Sequence, residues 1–251
     1  MYFKQNFETR WHDTDANRFL RPSAILMYLE ETSGIHMRHV GRSLDDVRDK
    51  EELAFILSRI GINFYAPISP FREITVETWV NEGKGYSSVR NFRLYDGDKL
   101  AAEASSVWAL IDLSKRFPVR LDRFDFGFPF EEEELYDVAT RFHIPRELPM
   151  ETVGERRIAY SDIDYNMHMN NTHYPDMLCD FLPDMQNNRV GSMTLSFLRE
   201  APYGQTLRVL RGKHEGGGWF MKTKNAADET CLEAEVTLVP LEKQIELKAK
   251  K

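Results

Sequence analysis

The chain has 251 residues, long enough to bury a sizeable core in one large domain or two modest ones. Its composition, 42% hydrophobic and 29% charged, is that of a globular protein, and a formal charge of −7 argues against a nucleic-acid binder, which carries a basic surplus. No apolar run approaches a membrane span, the opening MYFKQNFETRW lacks an apolar signal core, and the only cysteines are Cys179 and Cys231. A soluble protein of the reducing cytoplasm is expected.

In chain order, the opening strand leads into a polar loop, HDTDANRFL from His12, and then a helix whose buried face takes Ile25, Leu26, Leu29 and Met37. A charged run, GRSLDDVRDKEE, lengthens the connection to strand-like text, INFYAPISPFREITV. Strands EITVETWV, YSSVRNFRLY and LAAEASSVWALID follow, with DGD as a hairpin turn. A proline-bearing joint at about Lys115 to Glu155 comes next, with Pro118, Pro129, Pro145 and Pro149; within it Glu131 to Glu134 predict a short helix start, where carboxylates favour the dipole.

Beyond the joint the order recurs. The loop YSDIDYNMHMNNTHY precedes a helix with Tyr174, Met177, Leu178, Phe181 and Leu182 on one face. Strands LRVLRGKH, GWFMKTK and CLEAEVTLVP follow, with a GGG turn, and the tail KQIELKAKK reads as frayed and soluble. Asp13, Asp15 and Asn17 fall on Asp162, Asp164 and Asn166 at one common spacing. LSFLREAPYGQTLRV lies over INFYAPISPFREITV, with Phe197 on Phe64 and Val209 on Val76. The predicted fold is α+β, two copies of a long helix wrapped by an antiparallel sheet, as from a fused symmetric dimer. The expected domains are 1–125 and 156–251, joined by a linker over 126–155.

The two copies differ where chemistry would sit. His168 falls opposite Phe19, Asn170 and Asn171 opposite Arg21 and Pro22, and Glu200, read as a strand residue, opposite Pro67. Each residue alone has an ordinary reading: Asp13, Asp162, Asn171 and Thr172 suit caps and turns, and a loop histidine is commonly structural. A titratable set present in one copy only points to a single active centre.

DIDYNMHMNNTHY resembles the D-x-N-x-H-x-N-N signature of acyl-ACP thioesterases, tandem hot-dog enzymes of plant plastids and bacteria, and FLREA resembles the strand segment that bears their catalytic Glu. The resemblance spans most of the chain and implies hydrolysis of fatty acyl-acyl carrier protein, with Asp164, Asn166, His168 and Glu200 as the catalytic set. Plant members often place a Cys directly after that Glu. Here the position is Ala201, so no cysteine nucleophile can act there, and Cys179 reads as a buried apolar residue.

On that reading His168 moves protons, Glu200 activates water or fixes His168, and Asp164 is either a second base or a nucleophile. Backbone N–H groups at Asn170, Asn171 and Thr172 would meet the oxyanion. Ile25, Met27, Leu29, Trp79 and Trp108 are candidates for an acyl slot in the first half. Arg199, Lys213, Lys222 and Lys224 are candidates for a basic face toward an acidic carrier protein.

No metal ligand set and no cofactor motif is present, because His168 and His173 miss the i, i+4 spacing and Gly216 to Gly218 lack a following GK[ST]. The expected partner is acyl carrier protein through its phosphopantetheine-linked acyl chain, with no nucleic acid, no membrane span and a homodimer as the candidate assembly. The rival readings are an acyl-CoA thioesterase on the same fold, an enoyl-thioester hydratase, and a non-catalytic acyl-thioester binding module.

Overall fold

The computed structural model describes residues 2–83 and 85–241; the lysine-rich tail lies outside them. Ten strands form one continuous antiparallel sheet, which runs β1, β3, β4, β5, β2, β8, β11, β10, β9, β7 from edge to edge. In chain order the first-half strands are β1 (Phe3–Glu8), β2 (Leu53–Phe64), β3 (Glu73–Val80), β4 (Ser87–Asp96) and β5 (Lys99–Asp112); the short β6 (Phe117–Val119) pairs with β5 alone. The second half supplies β7 (Glu151–Arg157), β8 (Asn188–Phe197), β9 (Thr206–Lys213), β10 (Trp219–Lys224) and β11 (Thr230–Pro240). The order mirrors itself about the β2–β8 seam, where Gly61 pairs with Thr194. Both predicted turns close hairpins, with Gly97 and Gly217 at positive φ.

Helices α1 (Pro22–His39) and α3 (Tyr174–Asp180) pack against one face of this sheet and against each other, linked by an Arg21–Asp176 ion pair at 3.2 Å. Ile25, Leu26, Leu29 and Met37 are all buried, as the 3.6-residue period requires. The second helix is shorter than its pattern predicts: α3 has 7 residues, and Phe181 closes it. No described helix is long and apolar enough to cross a membrane.

The charged run after α1 is itself a helix, α2 (Leu44–Glu51), capped by Ser43, whose side chain accepts from the Asp46 N–H. The predicted helix at Glu131 to Glu134 is absent. That stretch is extended, because its backbone is already engaged across the sheet's other face. The Glu131 N–H donates to the Val80 carbonyl, and the Glu133 carbonyl accepts from Trp79 Nε1 and Asn81 Nδ2. The joint then crosses β2 and β8, where the Ala139 carbonyl accepts from Thr194 Oγ1 at 3.0 Å. Further on, Phe142 stacks on Phe220 of β10, and β7 begins at Glu151. Pro118, read as part of the joint, lies instead in β6 opposite Ile111, while Pro129, Pro145 and Pro149 suit this extended strap, since a helix interior excludes them.

Candidate active site

The repeat seen in the sequence is also a repeat of loop hydrogen bonds. Asp13 accepts from the Arg10 N–H, and Asp162 accepts from the Ala159 N–H; both are buried, with Arg10 and Arg156 as their respective ion-pair partners. The Asp15 N–H donates to the Phe19 carbonyl, and the Asp164 N–H to the His168 carbonyl. Arg18 and Met167 hold the matching positive-φ positions, at 64° and 68°. Asp13 and Asp162 are therefore structural in both halves.

What the loops present differs. Both halves keep the Asx turn, Asp15 Oδ1 accepting from the Asn17 N–H and Asp164 Oδ1 from the Asn166 N–H, each at 2.8 Å, but only the second adds a histidine, whose Nε2 stands 3.8 Å from Glu200 Oε1. Glu200 lies in the turn beyond β8 rather than in a strand, and is 73% exposed, against 22% for the His168 side chain. The turn is held to the histidine loop by a bridge between His168 and Pro202 and by the Met169 N–H donating to the Ala201 carbonyl. At 3.8 Å the two side chains are neighbours, with a separation longer than a hydrogen bond. The first-half counterpart, lined by Asp15, Phe19 and Pro67, is a void of about 40 Å³.

The Asp164, Asn166, His168 and Glu200 cluster opens onto a cavity of about 1460 Å³ between the helices and the inner sheet face. Met27, Glu30, Gly34 and Met37 line it as one stripe along α1, facing Leu57, Val80 and Trp108 of the sheet. Of the five acyl-slot candidates, Met27 and Trp108 line this cavity. Ile25 and Leu29 do not, because they lie on the adjacent stripe of α1, packed into the core. Trp79 does not either. Strand alternation turns it away from its neighbour Val80, and its Nε1 donates to the strap at Glu133. At the cavity's far end Arg90 is buried, hydrogen-bonded to His36 Nδ1 at 3.2 Å. Burial drives His36 down to about 4, so it is neutral at pH 7 and Arg90 down to about 10, so it stays charged.

Backbone donors at the helix start are mostly spoken for. Asn170 is the cap: its side chain accepts from the Thr172 N–H and hydroxyl, and its own N–H donates to the Asp162 carbonyl. His173 donates to the Asn170 carbonyl. Of the three predicted positions, the Asn170 and Thr172 N–H groups are engaged within the fold, and only the Asn171 N–H, first in its turn, lacks an acceptor among the described residues.

Sequence reasoning missed Arg48. From α2, its Nη1 donates to Asn166 Oδ1 at 3.1 Å, and its guanidinium lies over the Tyr165 ring. Because Arg is donor-only, the contact fixes the Asn166 amide with Nδ2 on the side away from Arg48. A buried-face signal was absent, since α2 contributes only Val47 to the core.

The basic-face candidates divide in a similar way. Arg199 lines the cavity and pairs with Glu229, whereas Lys222 pairs with Glu233 of β11 and Lys224 with Asp228 in the β10–β11 turn, and neither they nor Lys213 reach the cavity. The Cys179 thiol is pushed up to about 12 by burial, which removes it as a nucleophile at neutral pH.

A ten-strand sheet of two mirrored halves, each with a helix on its inner face and a single polar cluster between them, defines a tandem hot-dog protein. The sequence profiles described as Acyl-ACP thioesterase N-terminal domain and Acyl-ACP thioesterase C-terminal domain match residues 1–123 and 149–238, and the chain belongs to that family. A chloroplastic palmitoyl-acyl carrier protein thioesterase of Cuphea hookeriana is 21% identical over 248 residues, covering 88% of this chain and 57% of its own length. An oleoyl-acyl carrier protein thioesterase of Coriandrum sativum is 22% identical, covering 83% and 62%. The chain thus spans little more than half the length of these relatives.

Among solved structures, an acyl-ACP thioesterase from Bacteroides thetaiotaomicron superposes with a TM-score of 0.79 at 21% identity, covering 95% of this chain and 98% of the other. A 12:0-ACP thioesterase from Umbellularia californica gives 0.80 at 17%, covering 96% and 98%. These likenesses carry the fold.

Proposed function

We propose that the protein hydrolyses the thioester of fatty acyl-acyl carrier protein, releasing free fatty acid and the carrier thiol and so ending chain elongation. The observation that carries this reading is one cavity of about 1460 Å³, walled in part by Met27, Met37, Leu57, Val80 and Trp108, onto which Asp164, Asn166, His168 and Glu200 all open. A fatty chain fills the cavity, and its thioester carbonyl stops at the cluster. Residues 1–125 supply most of the acyl cavity, 156–251 supply the reacting groups, and 126–155 strap the two halves.

In the proposed reaction water is the nucleophile. His168, oriented by Glu200, takes a proton as the water oxygen adds to the carbonyl carbon. The negative charge that develops on the carbonyl oxygen meets the Asn171 N–H and the Asn166 amide. Collapse of the tetrahedral species breaks the C–S bond, and the His168 proton passes to the leaving thiolate. Asp164 holds the Asn166 backbone, and a direct attack by its carboxylate would leave an acyl-enzyme that oxygen-18 from solvent detects after a single turnover.

Hydrolysis of acyl-ACP against the matching acyl-CoA at equal concentration tests the carrier: a kcat/KM at least tenfold higher for acyl-ACP supports the proposal, and the reverse order makes the protein an acyl-CoA thioesterase. Cytoplasmic location and a homodimer belong to the same proposal; cell fractionation and sedimentation velocity decide them. Gly34 offers a test of the acyl slot. A Cβ built there meets nothing within 4 Å. Gly34→Leu is expected to shift the chain-length optimum to shorter chains, with ~0.8 kcal/mol lost per excluded methylene, or about fourfold in kcat/KM.

A further inference from the structure

The proposed reaction leaves one buried cation of the cavity wall unused. Arg90 lines the cavity from β4 and is only 6% exposed. Its Nη1 is held from behind, donating to His36 Nδ1 at 3.2 Å and to Thr78 Oγ1 at 3.4 Å, and neither of those residues lines the cavity. The N–H groups of Nε and Nη2 have no acceptor among the described residues. None of the cavity's own carboxylates, Glu8, Glu30, Glu31, Asp164 and Glu200, forms an ion pair with Arg90. Ser88, two residues back on the same face of β4, also lines the cavity, and its buried hydroxyl has no partner among the described residues.

A buried guanidinium without an anion is costly. An apolar chain end laid against it would seal its donors from water with nothing to accept them. A carboxylate fits instead, because the Nε and Nη2 edge is the fork that takes two carboxylate oxygens side by side.

Resting on the thioesterase reading, we propose that Arg90 and Ser88 form a subsite for a carboxylate at the far end of the acyl chain, so that the substrates include ω-carboxyacyl thioesters. The carboxylate accepts from Arg90 Nε and Nη2 and from the Ser88 hydroxyl. Met27, Leu57 and Trp108 enclose the methylenes between it and the thioester.

Paired thioesters test this. Acyl-ACPs of equal carbon count, one ending in a methyl group and the other in a carboxylate, are compared on wild type, R90M and R90K. Wild type is expected to favour the carboxylate-ended chain by about tenfold or more in kcat/KM, the weight of a charge-assisted contact. R90M, which keeps an unbranched apolar stem, is expected to reverse that order. R90K, a point charge without the fork, is expected to keep a reduced preference. A methyl-ended chain hydrolysed as fast or faster by wild type overturns the proposal, as does the same ratio in wild type and R90M.

A second measurement does not depend on turnover. Calorimetric titration compares the monomethyl ester of a long-chain dicarboxylic acid, which carries one carboxylate, with the dimethyl ester, which carries none. Wild type is expected to bind the monoester about tenfold more tightly and R90M to lose that advantage. Equal affinities in wild type, or an advantage that persists in R90M, overturn the proposal even where the thioesterase reading stands. An Arg90-dependent advantage in a wild type that releases no thiol from any thioester rejects the reading and keeps the carboxylate subsite.

Discussion

Replacing His168 by Ala is expected to lower kcat for acyl-ACP hydrolysis by about 10²- to 10⁴-fold, the range of a lost acid–base group. The fold should hardly notice. The imidazole's side-chain neighbour is Glu200 at 3.8 Å, and its Nδ1 stands 3.5 Å from the Met169 carbonyl. The bonds that hold the loop, from the Asp164 N–H to the His168 carbonyl and the bridge to Pro202, are made by backbone that the substitution keeps. If Glu200 acts by orienting His168, then Glu200→Gln costs less than H168A, and the double variant is no slower than H168A alone. Turnover within threefold of wild type in H168A would remove His168 from the mechanism.

The second large effect is on stability. Replacing Gly61 by Ala is expected to cost roughly 1–3 kcal/mol through overpacking, and about 1 kcal/mol more for a weakened hydrogen bond. A Cβ there would sit 2.0 Å from the Ala139 carbonyl oxygen, a backbone atom that cannot swing aside. That carbonyl accepts from Thr194, and nearby Asn63 Nδ2 donates to the Asp137 carbonyl, so lifting the strap breaks contacts on both sides of the β2–β8 seam. At about 2–4 °C per kcal/mol for a chain of this size, thermal unfolding resolves the change easily. Gly34→Ala is the control: its Cβ meets open space, and helix propensity favours it by ~1 kcal/mol. Equal Tm values for G61A and wild type would mean that the strap does not rest on Gly61.

These effects also mark where the sequence could be read and where it could not. Most of the later strands of each half and both polar loops were legible because they rest on local rules: β-branched and aromatic content, turn residues, and a repeat whose copies make the same hydrogen bonds at Asp13 and Asp162. Within the cluster of Asp164, Asn166, His168 and Glu200, the last two stood out because the first copy has Phe19 and Pro67 in their places, and the structure brings all four to one cavity.

What escaped the sequence depends on contacts across the fold. Glu131 to Glu134 carry helix-start charges, yet their backbone is claimed by Trp79, Asn81 and Val80. Trp79 is an aromatic in an apolar strand, and only the pairing of Val80 with the cavity shows that it faces the other way. Arg48 sits in a segment whose charge concealed a helix.

The measurement that tests the central claim most directly is thiol release from acyl-ACPs of graded chain length, run on wild type, H168A and Gly34→Leu. The account expects turnover with a chain-length optimum, its loss in H168A, and a shift to shorter chains in the Gly34 variant. Tight binding of every acyl-ACP with no thiol released by wild type would contradict it, and would make the cavity a binding site without chemistry.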